Sequence, residues 1–102
     1  MKYFLISDNI DTLAGMRMVG VDGLVVHTED EVKKTIETVA KDEDVGLILI
    51  TSKLFNDFSS TIFHYKLHMR RPLIVEMPDR HSGDNVADGI KRYIAEAVGI
   101  KL

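Results

Sequence analysis

The sequence holds no cysteine among its 102 residues, which excludes disulfides, thiolate zinc sites, iron–sulfur clusters and cysteine nucleophiles. That lack fits a reducing cytoplasm. No stretch approaches the roughly 20 consecutive apolar residues that a membrane-spanning helix needs. The opening Met1-Lys2-Tyr3-Phe4-Leu5-Ile6 is too short for a signal peptide and runs straight into Ser7-Asp8-Asn9, so it is expected to be a strand of a soluble protein. A clustered basic face is missing too. The 13 basic and 16 acidic residues are interspersed and leave a net charge of -3, which argues against a nucleic-acid surface. The one basic run, His68-Met69-Arg70-Arg71, reads as a solvated loop.

What is present suffices for one domain spanning residues 1–102, with 45% apolar and 28% charged residues. Four short apolar runs punctuate it: Tyr3-Phe4-Leu5-Ile6, Gly23-Leu24-Val25-Val26, Gly46-Leu47-Ile48-Leu49-Ile50 and Leu73-Ile74-Val75-Glu76. They are near-continuous and rich in β-branched residues, the pattern of strands buried on both faces of a parallel sheet. Helical periodicity fills the gaps. A short helix over about 11–19 is expected to stop at Gly20. Thr28-Glu29-Asp30-Glu31 has the form of a capping box and opens a helix with Val32, Ile36, Val39 and Ala40 on one stripe. Residues 53–66 align Leu54, Phe58, Ile62 and Tyr65, and residues 85–98 align Val86, Ile90, Tyr93, Ile94 and Ala97. The order βαβαβαβα predicts an α/β fold, a small doubly wound four-stranded parallel sheet of flavodoxin- or receiver-like plan with a C-terminal helix. The body is expected over residues 1–80 and the last helix over 84–99.

In such sheets ligands bind beyond the carboxyl ends of the strands. A phosphoryl-accepting receiver needs an aspartate after strand three, but the tip is Thr51-Ser52, and a fifth strand with its lysine is lacking. No G-x-G-x-x-G follows a strand and no G-x-x-x-x-G-K-[ST] occurs. Gly15, Gly20 and Gly23 are read as helix-ending and tight-turning residues instead. His64 and His68 stand i and i+4, but His68 is expected past the helix end and no third ligand has suitable spacing, so both read as solvated. His27 and His81 are isolated, and Ser82 beside His81 and Asp84 does not make a triad in one loop. The residues give no catalytic, cofactor-binding or metal site. Phe63 is the odd residue: on a helix over 53–66 it falls roughly 140° from the centre of the apolar stripe, where charge is usual.

Four segments in register carry a family resemblance. Ser7-Asp8, Asp11-Thr12 and Gly15-Met16-Arg17-Met18-Val19-Gly20-Val21 resemble the opening of the F subunit of V/A-type rotary ATPases, which reads strand, G-D, acidic turn, then a G-F-R-L-A-G-V-like helix end. Val45-Gly46-Leu47-Ile48-Leu49-Ile50-Thr51 is similar to that family's third strand, Arg71-Pro72-Leu73-Ile74-Val75-Glu76-Met77-Pro78 to its P-x-[IV]-[VL]-x-[IL]-P block, and Ala97-Val98-Gly99-Ile100 to its end. Ser7 for the usual glycine, Met16 for the usual aromatic and a polar Asp79-Arg80-His81-Ser82 loop depart from the pattern. The resemblance implies a non-catalytic central-stalk subunit, cytoplasmic and peripheral to the membrane. It would dock on the coiled-coil D subunit of that stalk and touch the catalytic A3B3 head transiently through the last helix. It would take no cofactor or nucleic acid and would not insert into the membrane. The partner contacts implied are Phe55, Phe63, Met77, Asp79, Arg80, Ile90, Ile94 and Val98. The alternative is a degenerate receiver-like module that binds a partner without phosphorylation.

Overall fold

Side chains along the apolar runs alternate between two buried faces, which turns continuous hydrophobicity into a two-sided sheet. The structure is a computed structural model and describes residues 1–78. Its strands are β1 (Lys2–Ser7), β2 (Asp22–Val25), β3 (Val45–Thr51) and β4 (Leu73–Met77). All pair in parallel in the order β2-β1-β3-β4. Leu5, Leu47, Leu49 and Met77 point into one cluster with Leu13, Met16 and Val21. Ile6, Ile48, Ile50 and Ile74 point into the other with Val32, Ile36, Leu54 and Ile62.

That partition locates the helices. α1 (Ile10–Met18) covers the first face, while α2 (Glu29–Ala40), α3 (Ser52–Asp57) and α4 (Ser59–His68) cover the second. The chain steps from β1 outward to β2, then reverses to β3 and β4, so right-handed crossovers place α1 opposite the other helices. The expected doubly wound parallel fold is present.

Local chemistry sets the boundaries. The Asn9 side chain accepts from the amides of Asp11 and Thr12 at 2.7 and 3.3 Å and starts α1. Gly20, at φ 90°, ends the turn that follows. The capping box of α2 is complete: Thr28 Oγ1 accepts from the Glu31 amide at 3.2 Å, and Glu31 Oε1 accepts from the Thr28 amide at 3.2 Å. The His27 amide donates to the same carboxylate at 2.8 Å, and this bond foremost, with that of Thr28, holds Glu31 below the usual carboxylate range.

One expectation needs correcting. The helix expected over 53–66 is two helices, broken at Phe58, whose backbone leaves helical geometry at φ -124°, ψ 39°. Asn56, Asp57, Ser59 and Ser60 surround the break and are weak helix formers. Phe58 still donates its amide to the Leu54 carbonyl and accepts from the Ile62 amide, both at 3.0 Å, so little backbone bonding is lost. The order through residue 78 is therefore βαβαβααβ. The helix expected over 84–99 lies outside the described residues.

Candidate interaction surface

The strand order reverses between β1 and β3, and this plan places ligands beyond their carboxyl ends at that point. Ser7 and Asp8 arrive there from β1, Thr51 and Ser52 from β3, and Glu76 and Met77 from β4. The Thr51 hydroxyl donates to Asp8 Oδ1 at 2.8 Å and accepts from the Asp8 amide at 3.4 Å. Ser7 Oγ closes a turn with Asn9, accepting from its amide and donating to its carbonyl, both at 2.9 Å. The Ser52 hydroxyl donates to Glu76 Oε2 at 2.8 Å. Asp8 thus faces a threonine where a receiver presents its acceptor aspartate, and these tip groups bond to one another. Among the described residues no three His, Asp or Glu side chains stand together as a metal site.

Two grooves of about 360 Å³ each lie elsewhere. One runs between α2 and the edge strand, with Phe4, Leu24, Thr35 and Val39 in its walls. The other lies around Met1, Tyr3 and Val19, at the end of the sheet opposite the strand tips.

The outer side of α3 and α4 differs. Ile62 is fully buried, and Phe63, the next residue, is 47% exposed. Its ring meets Phe55 in a T-shaped arrangement, with centroids 5.5 Å apart and planes at 85°. Lys66 Nζ stands 5.8 Å from the Phe55 centroid and 6.0 Å from that of Phe63, within reach of both ring faces. Leu67, one turn beyond Phe63, is 78% exposed. Sequence reading misses Leu67, although its i+4 spacing from Phe63 is visible there.

This face sits on a helix fastened to its neighbour. The Tyr65 hydroxyl donates to Glu37 Oε2 at 2.5 Å, and Thr61 donates to Glu29, so α4 is pinned along α2 at two levels. Burial first, then the Glu37 carboxylate, pushes the Tyr65 phenol up to about 12.

The structure brings Phe55 and Phe63 together and separates them from Met77. Phe55 is 7% exposed and belongs to the core beneath Phe63. Met77 is 4% exposed and packs on the α1 face. Asp79, Arg80, Ile90, Ile94 and Val98 lie outside the described residues.

A small doubly wound α/β domain, its strand tips bonded to one another and an aromatic face raised on one helix, is the class of protein this fold and surface define. The family described as ATP synthase (F/14-kDa) subunit matches residues 4–94, and the chain belongs to it. The F subunit of the A-type ATP synthase of Methanocaldococcus jannaschii is 29% identical over 103 residues, covering 100% of this chain and 99% of that protein. The F subunit of the V-type ATP synthase of Fusobacterium nucleatum is 28% identical, covering 99% and 94%. The F subunit of the A-type ATP synthase of Methanococcus vannielii is 30% identical, covering 100% and 99%. No helix among the described residues is long and apolar enough to cross a membrane.

Proposed function

We propose that this chain is the central-stalk, or rotor, subunit of a V/A-type rotary ATP synthase. It docks on the coiled-coil D subunit, works peripherally at the cytoplasmic side of the membrane, and couples or regulates ATP turnover against proton or sodium transport. Membership of the ATP synthase (F/14-kDa) subunit family over residues 4–94 carries this reading. The geometry supports it in two ways. The strand tips spend their polar groups on each other, which suits a part without an active site of its own. Phe63 and Leu67 stand out from a helix fastened to the body, and an apolar ridge on a rigid helix suits packing against another helix.

Phe63 is the anchor of the proposed contact and Phe55 its support from below. Met77, Asp79, Arg80, Ile90, Ile94 and Val98 are proposed as further partner contacts, and the transient contact with the A3B3 head is assigned to the last helix. Co-expression with the D subunit tests the reading. A stable one-to-one complex is expected, and Phe63→Ala should raise its dissociation constant by about tenfold, in the range of a central interface aromatic. Failure to form a complex, or a change below twofold in the variant, overturns the docking assignment.

A further inference from the structure

Beyond this role, we propose that His64 and His68 form a two-imidazole chelate for a late first-row divalent cation, with Cu²⁺ held most tightly. Helix α4 continues through His68, its last residue, so the i, i+4 pair lies on one helical face after all. The two rings stand 4.5 Å apart between centroids with their planes 32° apart, partly face to face at an exposed helix end. With the His68 ring held, turning the exposed His64 side chain brings a nitrogen of each ring to one ion, and water fills its remaining positions.

The hydrogen bonding of His68 adds to the fit. His68 Nδ1 lies 2.8 Å from the His64 carbonyl oxygen. A carbonyl can only accept, so Nδ1 is the donor and carries the proton. The lone pair of the neutral ring is then on Nε2, the nitrogen left for a metal. Histidines that bind metals ordinarily fix their rings in this way, with the second nitrogen donating to a carbonyl or carboxylate. Lys66, between the two histidines in sequence, directs its ammonium toward the Phe55 and Phe63 rings. Two imidazoles suit Cu²⁺, Ni²⁺ and Zn²⁺ and do not suit Mg²⁺ or Ca²⁺, and the usual affinity order places Cu²⁺ first.

The experiment titrates Cu²⁺ calorimetrically into the full chain and its His64→Ala, His68→Ala and His27→Ala variants at neutral pH. Both helix histidines are exposed, so these variants are expected to fold, which circular dichroism checks. The wild type and His27→Ala should share one site of equal affinity, and either helix variant should lose more than about tenfold, at least what an outer-shell partner costs. In a parallel nuclear magnetic resonance titration, substoichiometric Cu²⁺ should broaden the ring protons of His64 and His68 before those of His27 and His81. Equal affinity across the variants, loss on His27→Ala alone, or broadening that begins at His27 or His81 overturns the proposal. Because the titration contains no D subunit, its outcome is independent of the docking test.

Discussion

Gly23 sits where two strands leave no room for a side chain. A Cβ built there would lie 2.3 Å from the Leu5 carbonyl oxygen and 2.7 Å from the Leu5 Cβ, against backbone that cannot move alone. Gly23→Ala is expected to destabilise by about 1–3 kcal/mol, read as a lower midpoint in urea. By sequence this glycine opens the second apolar run and is read as tight-turning, and in the structure it lies inside β2 opposite Leu5. The reason for it is a distance between strands far apart in sequence, and periodicity carries no such information. Tyr65 is legible as a stripe residue, but its bond to Glu37 is not, for the same reason. The phenol titrates near 12 in the fold against the ordinary 10. Its neutral form is therefore favoured by folding, and the stabilisation is complete below about pH 10 and lost as pH rises through about 12. Tyr65→Phe should cost about 1 kcal/mol at neutral pH, and the gap to wild type should shrink across that alkaline window in denaturation curves.

At the scale of elements, capping chemistry is the most readable signal because it is local. The box at Thr28 and Glu31 needs only four consecutive residues, and the structure forms both of its bonds. Thr28→Ala should lower stability by about 1 kcal/mol, and Thr28→Ser should restore most of it, measured by thermal or urea unfolding. The break at Phe58 shows the opposite case. The apolar spacing of Leu54, Phe58, Ile62 and Tyr65 fits one helix, and all four do face the core. Weak helix formers on both sides of Phe58 decide the backbone instead, and an apolar count does not weigh them. The same count ends the helix too early, before His68, because the apolar stripe stops at Tyr65 while backbone bonds continue to the Met69 amide.

The whole molecule divides its labour between adjacent residues of one helix. Near-continuous apolar strands announce a sheet buried on both faces, a sign that holds best for the central β3, while the edge strands leave Leu24 and Leu73 about half exposed. The exposed face is legible only at Phe63, since the exposure of Leu67 depends on where α4 ends and how it lies along α2. Ile62 is wholly buried between α4 and the sheet, so Ile62→Ala removes core volume and should cost about 2–5 kcal/mol. Leu67, 78% exposed and five residues on, should tolerate alanine within about 0.5 kcal/mol. Binding should reverse the ranking. Where a rigid body presents a contact face, Leu67→Ala should weaken the complex with the D subunit about fivefold, roughly 1 kcal/mol, at unchanged unfolding midpoint. Ile62→Ala, assayed at a temperature where it stays folded, should bind within about twofold of wild type. Should Leu67→Ala bind like wild type while Ile62→Ala binds poorly when folded, the partner would be reading the packing of the body rather than the ridge of α4. The outer face of α4 would then belong to solvent.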